Sequence, residues 1–196
     1  MACWPGYATA ASDMRLILVR HPRPQIAAGI CYGRSDLTVS DEALQTCREQ
    51  LHAALPADIP LFSSPLQRCA RLARALDPVG LTLDARLAEL DFGCWEMQPW
   101  ERIARAEIDA WSQNLVHYRP GGGESLLAMA ERISAFYADL RQRRLASALI
   151  ICHAGSIRLL AASLSGLTPE QMARHAAAEA HAIDYGGIVI LEGHPA

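Results

Sequence analysis

The apolar residues of the chain fall into two kinds of segment. Residues 15–20, Arg-Leu-Ile-Leu-Val-Arg, and 148–152, Ala-Leu-Ile-Ile-Cys, are near-continuous apolar runs of strand length, as expected for strands buried on both faces of a parallel sheet. Further extended segments are predicted over 59–63, 81–89 and 187–191. Between them the apolar positions recur at helical spacing. The helix over 40–55 takes Ser40 as its N-cap, carries Asp41 and Glu42 in its first turn and is stopped by Pro56. The next opens at Pro65, where proline is tolerated, and runs to Leu76. Gly93 and Pro99 frame a turn, and 118–123 is a glycine loop. Helices are also predicted over 100–114, over 124–143, from Ser156 onward and over 169–180. That over 124–143 ends in Arg141, Arg143 and Arg144, which suit a carboxyl end. Strands alternating with helices predict an α/β fold, a three-layer α/β/α sandwich around a mostly parallel central sheet.

Composition narrows the chemistry. With 196 residues, 51% hydrophobic and 20% charged, the chain fits one domain over 15–196, with 1–14 as an N-terminal appendage. All 18 basic residues are arginine, so mechanisms that need a lysine amine are excluded: Schiff-base enzymes, the P-loop and protein kinases. Guanidinium groups still hold anions well, because they stay charged and offer a fork of donors. The net charge of −3 supplies no long-range attraction for nucleic acid or an anionic membrane, so anion recognition is expected in a pocket. Six scattered cysteines with no C-x-x-C read as free thiols of a reducing cytoplasm, and no metal site or cofactor is expected. His175 and His181, six apart, do not share a helix face as metal ligands would. The first 14 residues do not read as a signal peptide, and no apolar run reaches membrane-spanning length.

Both buried-strand signatures end in histidine, at His21 and His153. Ligands of open α/β sheets collect outside the carboxyl ends of strands, so both imidazoles stand where a site is expected. Pro22 blocks helical geometry at His21 and turns the chain out of its strand. The segment Ser63-Ser64-Pro65-Leu66-Gln67-Arg68 adds a third strand end, with Arg68 in the first helical turn beside free N–H groups. Taken alone, Arg68 reads as a solvated helix arginine like Arg71 and Arg74.

Arg20-His21, the Ser-Ser-Pro-Leu-x-Arg segment, Glu89-Leu-Asp-Phe-Gly-Cys-Trp-Glu96, Gly122-Gly123-Glu124-Ser125 and His153-Ala-Gly155-Ser-Ile-Arg158 stand in the order and spacing of the histidine phosphatase superfamily, the phosphoglycerate mutase-like proteins. The resemblance runs from Arg15 to Leu191 and is strongest toward the α-ribazole phosphatase branch. It implies a phosphoglycerate mutase-like fold and a metal-independent phosphomonoesterase of a small phosphate ester, with α-ribazole 5′-phosphate the sharpest candidate. It also implies roles. Arg20 and Arg68 clamp the phosphate, His21 attacks phosphorus, His153 donates to the phosphate oxygens, and Glu89 is general acid and then base. Asp91 reads as a turn former, Glu124 and Ser125 as caps of the following helix. The family's Arg-His-Gly-Glu-Thr is here Arg20-His21-Pro22-Arg23-Pro24, its phosphate-contacting Asn has no counterpart, and Met97 stands where glycine is common. Arg23, Tyr32 and Arg34 are the candidates to fill that gap. Phosphoglycerate mutase-type transfer and a non-catalytic phosphate sensor are the competing functions. Exposed apolar surface on the last helices would allow a homodimer.

Overall fold

The computed structural model describes residues 14–55, 59–76, 80–178 and 182–192. In chain order the elements are β1 (Arg15–Arg20), α1 (Asp41–Ala54), β2 (Leu61–Ser63), α2 (Gln67–Ala75), β3 (Leu81–Leu83), α3 (Arg105–Gln113), α4 (Leu126–Gln142), β4 (Ser147–Cys152), α5 (Ala154–Leu164), α6 (Pro169–Ala178) and β5 (Ile188–Leu191). The strands form one sheet in the order β3-β2-β4-β1-β5. All neighbours are parallel except β5, which runs antiparallel to β1. This is the three-layer, mostly parallel arrangement that the alternating pattern predicts.

Strand periodicity divides the core into two layers. Leu16 and Leu18 of β1 join Phe62, Ile150 and Cys152 under α4, α5 and α6. Ile17 and Val19, pointing the other way, join Leu61, Leu149 and Ile151 under α1 and α2. Each such fully buried aliphatic side chain contributes about 1.5–3 kcal/mol, so both faces of β1 resist polar substitution. Met14 is 4% exposed and packs into the first of these layers, so it belongs to the domain and not to an appendage. The rest of the predicted appendage, together with His181 and Cys3, lies outside the described residues.

Several boundaries differ from the sequence expectation for local reasons. α2 starts at Gln67 because Leu66 is still extended; Pro65 precedes the helix. The segment predicted as extended over 81–89 is a strand only to Leu83, since the Asp84 side chain accepts from the Arg86 N–H and turns Ala85–Leu87 into a 3₁₀ helix. The helix predicted over 100–114 is split into a 3₁₀ turn, Trp100–Arg102, and α3. α4 opens two residues late on its Ser125 cap, which accepts from Ala128 N–H. Glu124 is no cap: it forms a bidentate pair with Arg132 (2.7 and 2.8 Å). α5 begins at Ala154, directly after His153.

The long connection between β3 and α4 packs its Trp95 and Ile103, with Phe92, Trp111 and Tyr118, around Cys31 of the β1–α1 loop in a small core. Trp100 and Trp111 stack with centroids 6.0 Å apart, and Trp95 donates from its indole to Glu107 (2.9 Å). The turn that leaves Trp95 is strained at Met97, which has φ of 64° and is 52% exposed. A left-handed conformation costs an L-residue about 1–2 kcal/mol, part of which glycine would return as unfolded-chain entropy. Met97→Gly should therefore stabilise the protein by about 0.5–1 kcal/mol. A urea titration that found the variant less stable would show that Met97 contacts outweigh the strain.

Candidate active site

Strand register builds the site. Arg20 is paired with Cys152 at the end of the β1–β4 ladder, and His21 N–H donates to the Cys152 carbonyl (3.0 Å). His21 and His153 therefore leave adjacent strands at the same level, with ring centroids 5.1 Å apart. On the other side of β4, Ser63 pairs with Ile151, which brings Ser64 alongside His153. Arg68, one helical position after the start of α2, is 0% exposed. It is not the solvated arginine that its neighbours suggest.

Arg68 donates from Nε to His153 Nδ1 (3.3 Å), from Nη1 to the Ser35 carbonyl (2.7 Å) and from Nη2 to the Gly33 carbonyl. A guanidinium cannot accept, so His153 Nδ1 is the acceptor, and a neutral ring then keeps its proton on Nε2, 2.8 Å from Ser64 Oγ. Both nitrogens of His153 are thus engaged within the protein, where the family resemblance implies donation to phosphate. Burial and then the Arg68 charge hold His153 well below the usual histidine range.

His21 Nδ1 lies 2.7 Å from the Pro22 carbonyl, which can only accept. The neutral ring therefore carries its proton on Nδ1 and a lone pair on Nε2. Burial, reinforced by the Arg68 and Arg20 charges, depresses its pKa to about 3. Arg20 donates from Nη1 to the Ile183 carbonyl (2.6 Å), and its guanidinium lies 3.9 Å from the Tyr185 ring centroid. Its buried Nε has no hydrogen-bond partner among the described residues and remains an open donor.

Glu89 is half-buried and accepts from the N–H groups of Leu90 (3.0 Å) and Gly155 (3.2 Å). A Cβ on Gly155 would sit 2.4 Å from Glu89 Oε1, so glycine is required there for the carboxyl to approach α5. The Glu89 backbone is fixed by Arg132, which donates to the carbonyls of Arg86 (2.6 Å), Ala88 (2.7 Å) and Glu89 (3.1 Å). Asp91 accepts from Gly93 N–H (2.8 Å), the turn-forming role expected of it.

Of the three residues expected to fill the gap left by the missing Asn, the structure brings Tyr32 in. Its ring lies 5.6 Å from the Arg68 guanidinium, and its hydroxyl is 2.6 Å from that of Tyr185. Arg23 is exposed and lies over the Tyr185 ring (4.9 Å), while Arg34 is 45% exposed and pairs with Asp91 (3.5 Å). Two further contributors are not singled out in the sequence, although Glu96 closes one of the family-like motifs. Tyr185 arrives from the turn before β5, and Glu96 accepts from Gly33, Arg34, Ser35 and Phe92 N–H groups at 2.8–3.0 Å. Although burial opposes it, these bonds and that from the Ser35 hydroxyl hold the Glu96 carboxyl below the usual range. Among the described residues no group of three His, Cys, Asp or Glu could hold a metal ion, and no helix is long and apolar enough to cross a membrane.

Two neutral imidazoles, two guanidinium groups and a carboxyl converge at the ends of parallel strands, an arrangement suited to moving a phosphoryl group to and from nitrogen. Residues 16–192 match the histidine phosphatase superfamily (branch 1), and the chain belongs to that family. It is 28% identical over 173 residues to the adenosylcobalamin/alpha-ribazole phosphatase of Escherichia coli (strain K12), covering 81% of this chain and 83% of that one. The alpha-ribazole phosphatase structure from Shigella flexneri superposes with a TM-score of 0.73 at 25% identity, covering 90% of this chain and 89% of that one. A phosphoglycerate mutase structure from Thermus thermophilus gives 0.61 at 33% identity over 74% and 81%. The fold is thus the phosphoglycerate mutase-like one.

The neutral histidines link the site to stability. A histidine whose folded pKa lies below the unfolded value of about 6.5 leaves the unfolded chain binding more protons on acidification. The His21 contribution to stability should therefore fall as pH drops from about 6.5 toward about 3 and be lost no further below that. His21→Asn should reduce that slope in urea titrations across the same window; an unchanged slope would mean that His21 charges freely in the folded protein.

Proposed function

We propose that the chain is a metal-independent phosphomonoesterase acting through a phosphohistidine on His21. The observation that carries this reading is the tautomer of His21: its Nδ1 proton is taken by the Pro22 carbonyl, which leaves the lone pair on Nε2. Arg20 and Arg68 hold the phosphoryl oxygens, neutralising charge where it develops. His21 Nε2 forms the bond to phosphorus as the bond to the leaving oxygen breaks, and the Glu89 carboxyl gives that oxygen its proton. Water then attacks phosphorus, Glu89 takes the water proton, and inorganic phosphate leaves neutral His21. His153 and its Ser64 partner hold Arg68 in place and stay uncharged beside it.

The substrate we favour is α-ribazole 5′-phosphate, which would place the enzyme in cobalamin biosynthesis. Next to Glu89 and Arg20 lies a cavity of ≈ 380 Å³ walled by Phe92, Trp111, Leu115, Leu126 and Met129. An apolar, aromatic-walled cavity suits a leaving group with a flat apolar part and offers little to a small polar one such as serine. The likeness to the two alpha-ribazole phosphatases supports the same choice. The likeness to a phosphoglycerate mutase makes transfer to a second hydroxyl the competing outcome.

Hydrolysis of α-ribazole 5′-phosphate, phosphoserine and 3-phosphoglycerate should proceed in chelator with the first preferred in kcat/KM. His21→Ala should abolish it, and quenched wild type should carry acid-labile phosphate. Activity lost to chelator rejects the metal-independent mechanism, and isomerised phosphoglycerate in place of free phosphate makes the protein a mutase.

A further inference from the structure

Two phenols from opposite ends of the chain meet beside the proposed phosphate site. Tyr32 follows Cys31, whose backbone is tied to the 97–98 turn by two bonds of 2.8 Å. Tyr185 precedes Gly186, whose N–H donates to the Arg20 and His21 carbonyls (3.1 and 3.2 Å). The two hydroxyls are 2.6 Å apart, and among the described residues neither has another hydrogen-bond partner. Around them stand the Arg20 guanidinium, 3.9 Å from the Tyr185 ring, the Arg68 guanidinium, 5.6 Å from the Tyr32 ring, and the His21 ring, 5.6 Å from that of Tyr185.

Two hydroxyls hold two protons, and the bond between them uses one. The accepting phenol keeps its own proton with nothing in the protein to receive it. Tyr32 is the one placed to use it. The ring of Tyr185 is occupied by Arg20 and Arg23, whereas the charges of both Arg20 and Arg68 bear on the Tyr32 phenol. Those charges would lower its pKa, yet burial and the bond with Tyr185 prevail and hold it above the ordinary tyrosine value, so it remains a donor. An O–H that accepts one hydrogen bond donates a stronger one.

We propose that Tyr32, primed by a hydrogen bond from Tyr185, donates its O–H to an oxygen of the phosphoryl group held between Arg20 and Arg68. No proton is transferred; the bond shortens as charge builds on the oxygens. The pair supplies a neutral donor in place of the family's phosphate-contacting Asn, which has no counterpart here, and the proposal rests on the phosphomonoesterase reading above.

Tyr32→Phe and Tyr185→Phe in the full chain test it, with kcat/KM on a phosphomonoester and orthovanadate binding by calorimetry as readouts. Loss of a hydrogen bond to a charged group predicts that Tyr32→Phe lowers both about tenfold or more, with the thermal midpoint nearly unmoved. Tyr185→Phe removes only the priming bond and should cost about two- to fivefold in both. Tyr32→Phe within twofold of wild type in both readouts overturns the proposal, as does a Tyr185→Phe loss larger than that of Tyr32→Phe. Should Tyr32→Phe not fold, an unchanged Tyr185→Phe overturns it equally. A wild-type protein without turnover or phosphoenzyme would sink the phosphomonoesterase reading instead, while orthovanadate binding still decides the role of Tyr32.

Discussion

A fully buried guanidinium with no carboxylate beside it is the constraint around which this molecule is arranged. Arg68 has no acidic partner within 4.0 Å among the described residues; it is held by two backbone carbonyls and an imidazole nitrogen. Burying a charge in this way is costly unless it is hydrogen-bonded and its counter-charge is supplied later. In the proposed reaction a phosphoryl dianion is that counter-charge. The same unbalanced cation, together with burial, keeps His21 and His153 neutral, so the feature that attracts the phosphate also preserves the lone pair that would attack it.

The carbonyls that hold Arg68 do not face it by accident. Residues 33–35 lie between Arg68 and Glu96. The carboxylate takes the N–H groups of Gly33, Arg34 and Ser35, and the guanidinium takes the carbonyls of Gly33 and Ser35. An anion on one side and a cation on the other orient the peptide dipoles of one short loop. Only glycine permits the approach at 33, where a Cβ would fall 1.9 Å from the Leu90 carbonyl oxygen. Arg132 performs the corresponding task for Glu89 by collecting three carbonyls of the preceding segment and neutralising its own charge with Glu124. Loss of either hub would leave a buried charge or buried carbonyls unpaired, which costs several kcal/mol.

The parts of this arrangement that were legible in the sequence are those with a short repeat. Apolar runs gave β1 and β4, and the histidines follow each run by one residue, so the register of two parallel strands was enough to bring His21 and His153 together. Arg68 and Glu89 became legible only through the order of five motifs along the chain, since an arginine in a first helical turn is by itself ordinary surface. The long-range bonds of Glu96, Arg132 and Tyr185 span 43 to 153 residues and follow no period. The antiparallel entry of β5 was equally silent, because an edge strand of four half-buried residues carries no sign of its direction. Helix starts moved by two residues where capping and proline geometry overrode the apolar pattern.

Pro22, the most evident departure from the family's pattern, is compatible with the proposed catalysis. Proline removes an N–H, but its carbonyl remains, and that carbonyl receives the Nδ1 proton of His21. Proline also narrows the conformations open to the residue before it, which is the nucleophile candidate itself. The substitution therefore stiffens the one hydrogen bond that decides which nitrogen of His21 carries a lone pair. A protein that only bound phosphate would gain nothing from that choice of tautomer, because a neutral imidazole with its proton turned away from the anion is a poor ligand for it. In the proposed mechanism this tautomer is the one that leaves Nε2 to form the bond to phosphorus.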